Sequence, residues 1–336
     1  MKFGTVPVRD ALGAVLAHSV DLGQGRLRKG VVLTKDHIAR LEAASVHDVV
    51  VAALDADDVP ENAAAQQLAQ ALVPDPAAAC LRVTDAFTGR VNLLADGPGV
   101  AVLDVPALEA LNRVHPMITL ATVPPFAQMR AKGMVGTIKI ISYAVPHAAL
   151  EQACDIARAS VRLARPVHAT AGLIITEIPG GAGEKGRAAI EARVAALGMD
   201  MAEVRVIAHR QDALAAAIAG IRGDVILILT GSATSDDNDV GPAALRLAGG
   251  QVERFGMPVD PGNLLFLGHM TDKPVIGLPG CARAPALNGA DWVLSRVACG
   301  IHVSADDIAG MGIGGLLKEI PTRPQPRNPS PRTKKV

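Results

Sequence analysis

Apolar and polar positions change rhythm along the chain, and the clearest rhythm lies in its C-terminal half. From Pro166 onward, short apolar runs alternate with amphipathic stretches. The run at 172–176 predicts a strand, followed by the Gly-rich loop IPGGAGEKG and a helix over 187–197. A strand at 203–208 and a helix at 211–220 come next. The segment DVILILT, 224–230, has no polar interruption between Asp224 and Thr230, the pattern of a strand buried on both faces. A helix over 242–248, strands at 263–267 and 274–278, and a helix at 284–298 complete the series. Strands alternating with helices predict a mostly parallel sheet covered on both sides. In such sheets ligands settle at the carboxyl ends of the strands, which singles out the loops that follow them.

The preceding sequence is less regular. Residues 1–75 predict a small α+β unit, with a short helix over RDALGAVLA at 9–17. Thr34 is placed to cap a helix whose apolar positions Ile38, Leu41 and Ala44 recur at helical spacing. A strand at 49–54 and a helix after Pro60 follow, ending before the break VPDPAA. Residues 76–165 predict a middle α+β region, with strands at 99–103, 117–122 and 136–142 and helices at 106–112 and 148–163.

Composition narrows the function classes. Of 336 residues 49% are hydrophobic but only 2% aromatic, so the cores are built from Ala, Val, Leu and Ile. The length implies two domains or more. The 33 basic residues balance 33 acidic ones, so no global field favours nucleic acid or an anionic membrane surface. The exception is the tail at 321–336, proline-rich with Arg323, Arg327, Arg332, Lys334 and Lys335 and no acid, which reads as a disordered basic tail. Cys80, Cys154, Cys281 and Cys299 have no CxxC spacing, and the N-terminus lacks a signal-peptide core. Reduced thiols in the cytoplasm, and no membrane span, are therefore expected. Cys281 is expected to be a small buried hydrophobe rather than a reactive thiol.

Three strand-end loops carry candidate chemistry. The first, Thr230-Gly231-Ser232-Ala233-Thr234-Ser235-Asp236-Asp237-Asn238-Asp239, sets hydroxyls, small residues and carboxylates between a buried strand and a helix start. Glycine and serine permit close backbone approach, and helix amides receive a phosphate. A divalent metal would reconcile the carboxylates with such an anion; a helix cap with a solvated acidic turn is the plainer reading of the same residues. The second loop is GMPVDPGN and the third GLPGCA. Taken alone, they are turn chemistry and an ordinary strand-to-helix connection. Lys185, Arg187, His209 and Asp212 are weaker candidates for the same crevice. The run GMGIGG at 310–315 formally fits GxGxxG but lacks the preceding strand of a dinucleotide fingerprint.

In order and spacing the three loops resemble the C-terminal core of molybdenum-transfer proteins of the MoeA type and the smaller MogA/MoaB type. The pattern T-G-G-V-S-x-G-D-x-D, G-x-x-x-x-P-G-K-P, G-L-P-G-N-P is matched here by TGSATSDDND, GMPVDPGN and GLPGCA. ALGAVLAHSV near the N-terminus is similar to the opening of that family. The resemblance implies a three-layer αβα molybdopterin-binding domain over 166–320, preceded by the smaller α+β region. It also implies molybdopterin or adenylylated molybdopterin as ligand, with Mg2+ and molybdate in a metal-insertion step. Carried over, Thr230, Gly231, Ser232, Thr234 and Ser235 contact the pterin or its phosphate. Pro261, Gly262, Pro279 and Gly280 shape the pocket. Asp237 and Asp239 hold metal or polarise the phosphoanhydride. A homo-oligomer is implied, with a molybdoenzyme or another cofactor-biosynthesis protein as partner.

The departures have chemical content. Ser232 and Asp236 stand at glycine positions of the pattern, Asn263 at a lysine and Cys281 at an asparagine. Losing a cation beside an anionic ligand weakens phosphate binding. A non-enzymatic carrier of pterin or finished cofactor is therefore the alternative to metal insertion, and hydrolysis of a nucleotide-like pyrophosphate is a third reading.

Overall fold

The computed structural model describes residues 1–260 and 262–319; Pro261 and the tail read as basic and disordered at 321–336 lie outside the described residues. The chain forms two compact units. One comprises 1–96, 101–125 and 132–163, the other 97–100, 126–131 and 164 onward.

The first unit is α+β. Lys2–Pro7 and Val15–Leu16 pair antiparallel with Asp48–Ala53, over a core that includes Val8, Leu16, Leu33, Leu41 and Val51. Thr34 caps the helix Lys35–Ala43 by accepting from His37 N, as its position predicts. The helix expected over 9–17 does not form. A 3-10 turn at Val8–Asp10 leads into Val15–Leu16, because Gly13 takes φ +83 and the apolar residues beyond it join the sheet. A second, four-stranded antiparallel sheet orders Ile118–Thr122, Met134–Ile140, Arg90–Ala95 and Leu81–Val83. The helix expected over 148–163 stops at Ile156, and Val161–Ala164 is a strand; Ala159 at φ +56 separates the two.

The second unit carries the regular pattern. Its elements are β1 (Thr170–Glu177), α1 (Arg187–Ala196), β2 (Asp200–Ala208), α2 (Gln211–Gly220), β3 (Val225–Leu229), α3 (Val240–Leu247) and β4 (Gln251–Met257). Then come β5 (Asn263–Met270), β6 (Lys273–Leu278), α4 (Gly289–Ala298) and α5 (Ala305–Gly310). The sheet order is β2-β1-β3-β6-β5-β4. The β2-β1-β3-β6 pairings are parallel, while β5 and β4 add antiparallel.

Side-chain alternation sorts this sheet into three layers. Leu173, Ile175, Leu227, Leu229, Ile276 and Leu278 face Ile190 and Val194 of α1 and Val293, Leu294 and Val297 of α4. Their neighbours Ile174, Ile226, Ile228 and Val275 face Leu214 and Ile218 of α2 and Leu245 of α3. Both faces are thus buried, as the uninterrupted DVILILT run requires.

Two elements depart from the sequence reading. β4 joins the sheet edge although Glu253 and Arg254 interrupt its apolar pattern, charges an edge strand accommodates on its open side. The last long helix begins at Gly289 rather than at Ala284, because Asn288 caps it and a 3-10 turn at Gly280–Arg283 comes first.

Candidate functional site

The carboxyl ends of β1, β2 and β3 are tied together by one hydrogen-bond network. Thr176, fully buried at the end of β1, accepts from Gly231 N at 2.8 Å and lies 2.8 Å from His209 Nδ1. His209 follows β2, and its Nε2 is 3.1 Å from Ser232 Oγ. Gly231 is required by this approach: a Cβ there would sit 2.7 Å from the Thr176 carbonyl oxygen. The hydroxyls of the loop serve the loop itself. Thr230 Oγ1 donates to the Ser232 carbonyl at 2.7 Å and lies 3.5 Å from Thr234 Oγ1, with Thr234 buried.

The carboxylates beyond are already engaged. Asp239 caps α3, accepting from Val240 N at 2.7 Å and from Ser235 N at 2.9 Å. Asp237 pairs with Arg246 at 2.6 Å, and Arg246 also donates to the Asp237 carbonyl. Asp236 accepts from both nitrogens of Asn238, and these bonds hold its carboxyl below the usual carboxylate range. Asp237 Oδ1 makes no hydrogen bond among the described residues. No three His, Cys, Asp or Glu side chains among the described residues converge as a ready-made metal site.

The third loop enters the crevice through a residue the sequence reading passed over. Pro279 is buried and Gly280 exposed. Arg283, four residues past Pro279, donates from Nη2 to the Thr230 carbonyl at 2.8 Å and from Nη1 to the carbonyls of Gly183 at 3.3 Å and of Lys185. It thereby joins the loops that follow β1, β3 and β6. Burial pulls its guanidinium pKa below the usual arginine range. Cys281 is exposed, which corrects its reading as a buried hydrophobe. The thiols that burial does remove from solvent are Cys154 and Cys299, and the Cys299 pKa is pushed up to about 12.

A second arginine holds that loop in place. Arg193 of α1 is 1% exposed at its side chain. It donates to Asp291 Oδ1 at 2.9 Å and to the carbonyls of Ala189, Ala282, Ala284 and Ala286. Asp291 in turn accepts from Asn288 N at 2.8 Å, closing the cap of α4. Carbonyls that would have lain in a helix over 284–288 bond to the guanidinium instead.

The second loop bonds elsewhere. Asp260, buried with φ +44, donates from its N to the Gly315 carbonyl at 2.7 Å and accepts from Lys318 N at 2.9 Å. The GMGIGG run therefore packs on this loop as structure. Asn263 is buried; its Oδ1 accepts from Leu265 N at 3.1 Å, and its Nδ2 has no hydrogen-bond partner among the described residues. Gly262 is exposed with φ +88, and Pro261 lies outside the described residues. Arg187 is occupied by Glu184 and Glu191, and Asp212 by Arg210.

Comparison with known proteins gives two family matches. Residues 5–53 match a domain of unknown function, and residues 172–296 match the family described as a probable molybdopterin binding domain. No curated protein matches the chain. Among solved structures, it is similar to a molybdopterin biosynthesis MoeA protein from Pyrococcus horikosii at 13% identity and TM-score 0.30, covering 89% of this chain and 75% of that one. It is also similar to a molybdenum cofactor biosynthesis protein from Pyrococcus furiosus at 13% identity and TM-score 0.25, covering 92% and 65%. No helix among the described residues is long and apolar enough to cross a membrane. The matched span, 172–296, runs from β1 into α4 and takes in all three candidate loops, so the likeness to the probable molybdopterin binding domain covers the strand-end loops of this sheet.

Proposed function

We propose that the crevice at the carboxyl ends of β1 and β3 binds molybdopterin or adenylylated molybdopterin, and that the protein acts at metal insertion in cofactor biosynthesis. The observation that carries this reading is the Thr230–Asp239 loop. It is pinned to β1 by the Thr176–Gly231 bond, and Ser232, Ser235 and Asp236 are exposed around it. Thr230, Gly231, Ser232, Thr234 and Ser235 line the pterin or phosphate end, with Pro279 and Gly280 shaping the wall. The loop's backbone lies close because Gly231 has no side chain.

Magnesium fits the donor chemistry of Asp237 and Asp239, which is all oxygen. The protein's own set is incomplete, so the remaining ligands would come from water and phosphate, as is common for this ion. When bound, the ion would supply charge neutralisation at the phosphoanhydride. The chain's residues orient the ligand: the Thr176–Gly231 bond fixes the loop, and Arg246 fixes Asp237.

One observation favours the alternative of a carrier that holds the ligand for a molybdoenzyme. Asp239 gives both oxygens to backbone amides and Asp237 gives one to Arg246, so both carboxylates already have structural work.

The deciding experiment is titration of both ligands followed by single turnover with Mg2+ and molybdate. AMP release that requires both ions, and that falls in Asp237→Ala, supports insertion. Stoichiometric binding without turnover supports the carrier. Absence of binding by folded protein overturns both.

A further inference from the structure

The two arginines behind the third loop differ in one respect. Arg193 is buried and balanced, with Asp291 as its counter-ion and all its donors spent on that carboxylate and on backbone carbonyls. Arg283 is partly buried, and every acceptor it meets among the described residues is a neutral backbone carbonyl. Three carbonyls do not require a cation. A charge withdrawn from water without a counter-ion is costly, and sites that tolerate one meet it with an anion. Two N–H groups of Arg283, on Nε and Nη2, make no hydrogen bond among the described residues. A guanidinium with two donors to spare matches an oxyanion in a bidentate manner.

Its surroundings agree. Gly186, the N-cap of α1, lies so close that an added Cβ would be 2.7 Å from Arg283 Cα, and no side chain caps that helix. The positive end of α1 therefore lies beside the guanidinium. The Thr230 carbonyl it holds begins the candidate ligand loop. Neither acid beside the loop after β1 neutralises the guanidinium: Glu184 pairs with Arg187, and Glu177, whose Oε1 would lie 3.2 Å from a Cβ at Gly183, makes no ion pair with Arg283. Asn263, which stands where the resembled pattern has lysine, brings no charge.

We propose that Arg283 is the anion-recognising residue of this crevice, binding a phosphate or phosphoanhydride oxygen pair of the ligand. This rests on the reading of the crevice as a ligand site, but it concerns a residue outside the loop pattern that suggested that reading. Arg193 acts at one remove, as a positioning residue that holds the segment on which Arg283 stands.

The test uses inorganic pyrophosphate as probe on the full chain, by calorimetric titration of wild type, Arg283→Gln and Arg283→Lys, with molybdopterin titrated in parallel. The expected result is loss of pyrophosphate affinity by tenfold or more in the glutamine variant and by less in the lysine variant. A measurement without substitution guards against misfolding: saturating pyrophosphate should slow phenylglyoxal modification of Arg283 in wild type, read by peptide mass spectrometry. Equal pyrophosphate affinity in folded wild type and Arg283→Gln, no pyrophosphate binding by wild type, or unprotected Arg283 would each overturn the inference. If molybdopterin still binds in those cases, the proposed function stands without it. If pyrophosphate binds through Arg283 and molybdopterin does not bind at all, the anion site stands and the pterin reading fails.

Discussion

Single atoms decide much at this site. Thr176 is buried, and its hydroxyl gives the Gly231 amide an acceptor while also meeting His209. Thr176→Val keeps the shape and removes the acceptor, leaving a backbone donor unsatisfied. A loss of about 1–3 kcal/mol in denaturant unfolding is expected, with weaker binding of any ligand that uses the 230–235 loop; a change within about 0.5 kcal/mol, the range of an ordinary surface substitution, would show that the bond anchors nothing. Gly277 offers a steric counterpart. A Cβ there would fall 1.9 Å from the Phe266 ring, so Gly277→Ala should destabilise by about 1–3 kcal/mol. Adding Phe266→Leu should recover part of that loss, because the ring is what the methyl meets. Equal losses in the single and double variants would place the strain elsewhere. Gly231 and the hydroxyls beside it were legible in the sequence from their place at a strand end. Thr176 was not, because a threonine closing one strand gives no sign of which loop it will face.

At the scale of elements, the segment between β6 and α4 is the one that propensity misreads. Its alanines suggest helix from Ala284, yet its carbonyls bond to Arg193 and the helix waits for the Asn288 cap. Truncating Arg193 to alanine removes the counter-ion of Asp291 and the donor of three loop carbonyls in the interior, and a loss of about 3–5 kcal/mol is expected for breaking such a buried pair. Arg193→Met with Asp291→Leu removes both charges and should cost less than Arg193→Ala alone. Hydrogen exchange should report faster opening over 282–288 in both variants; unchanged exchange there would show that the arginine does not hold the loop. The elements from β1 to α3 were readable because β1 and β3 are nearly continuous apolar runs and the helices bury apolar residues at helical spacing. β4 was not, since an edge strand carries charges that break the period.

For the molecule as a whole, proton linkage gives a sign that can be worked out. Glu203 accepts from Arg205 and from the Arg222 amide, and the Arg205 bond chiefly pulls its pKa from the ordinary 4.5 down to about 2. The folded state therefore binds the proton less readily than the unfolded chain does. The contribution of Glu203 is complete above about pH 4.5 and disappears as pH falls toward 2. Glu203→Gln should flatten part of the acid decline in stability, measured as melting temperature between pH 5 and 2. An unchanged slope would exclude the pair from that decline. Also at this scale, a cavity of about 300 Å3 is lined by His168, Glu253, His269, Asp272 and His302 among others. Its lining comes from β4, the turn between β5 and β6, the residue His168 before β1 and the segment at and after the end of α4, at the end of the sheet opposite the candidate loops.

What the sequence determined by itself was local and periodic. Continuous apolar runs became a sheet buried on both faces, alternating helices became its two covering layers, and small polar residues after DVILILT marked the end of the sheet to inspect. Tertiary structure alone decided which partners those residues took. The sequence left Asp237 and Asp239 between a metal-holding pair and a helix cap with an acidic turn; the fold gives Asp237 to Arg246 and Asp239 to the amides of Val240 and Ser235. Arg283 had no role in the sequence reading, and the fold set it among the carbonyls of two other loops. The physical reason is range. Periodicity and turn chemistry act over a few residues, whereas the Arg283–Gly183 and Arg193–Asp291 contacts join positions 100 and 98 residues apart, and no local pattern encodes such a meeting.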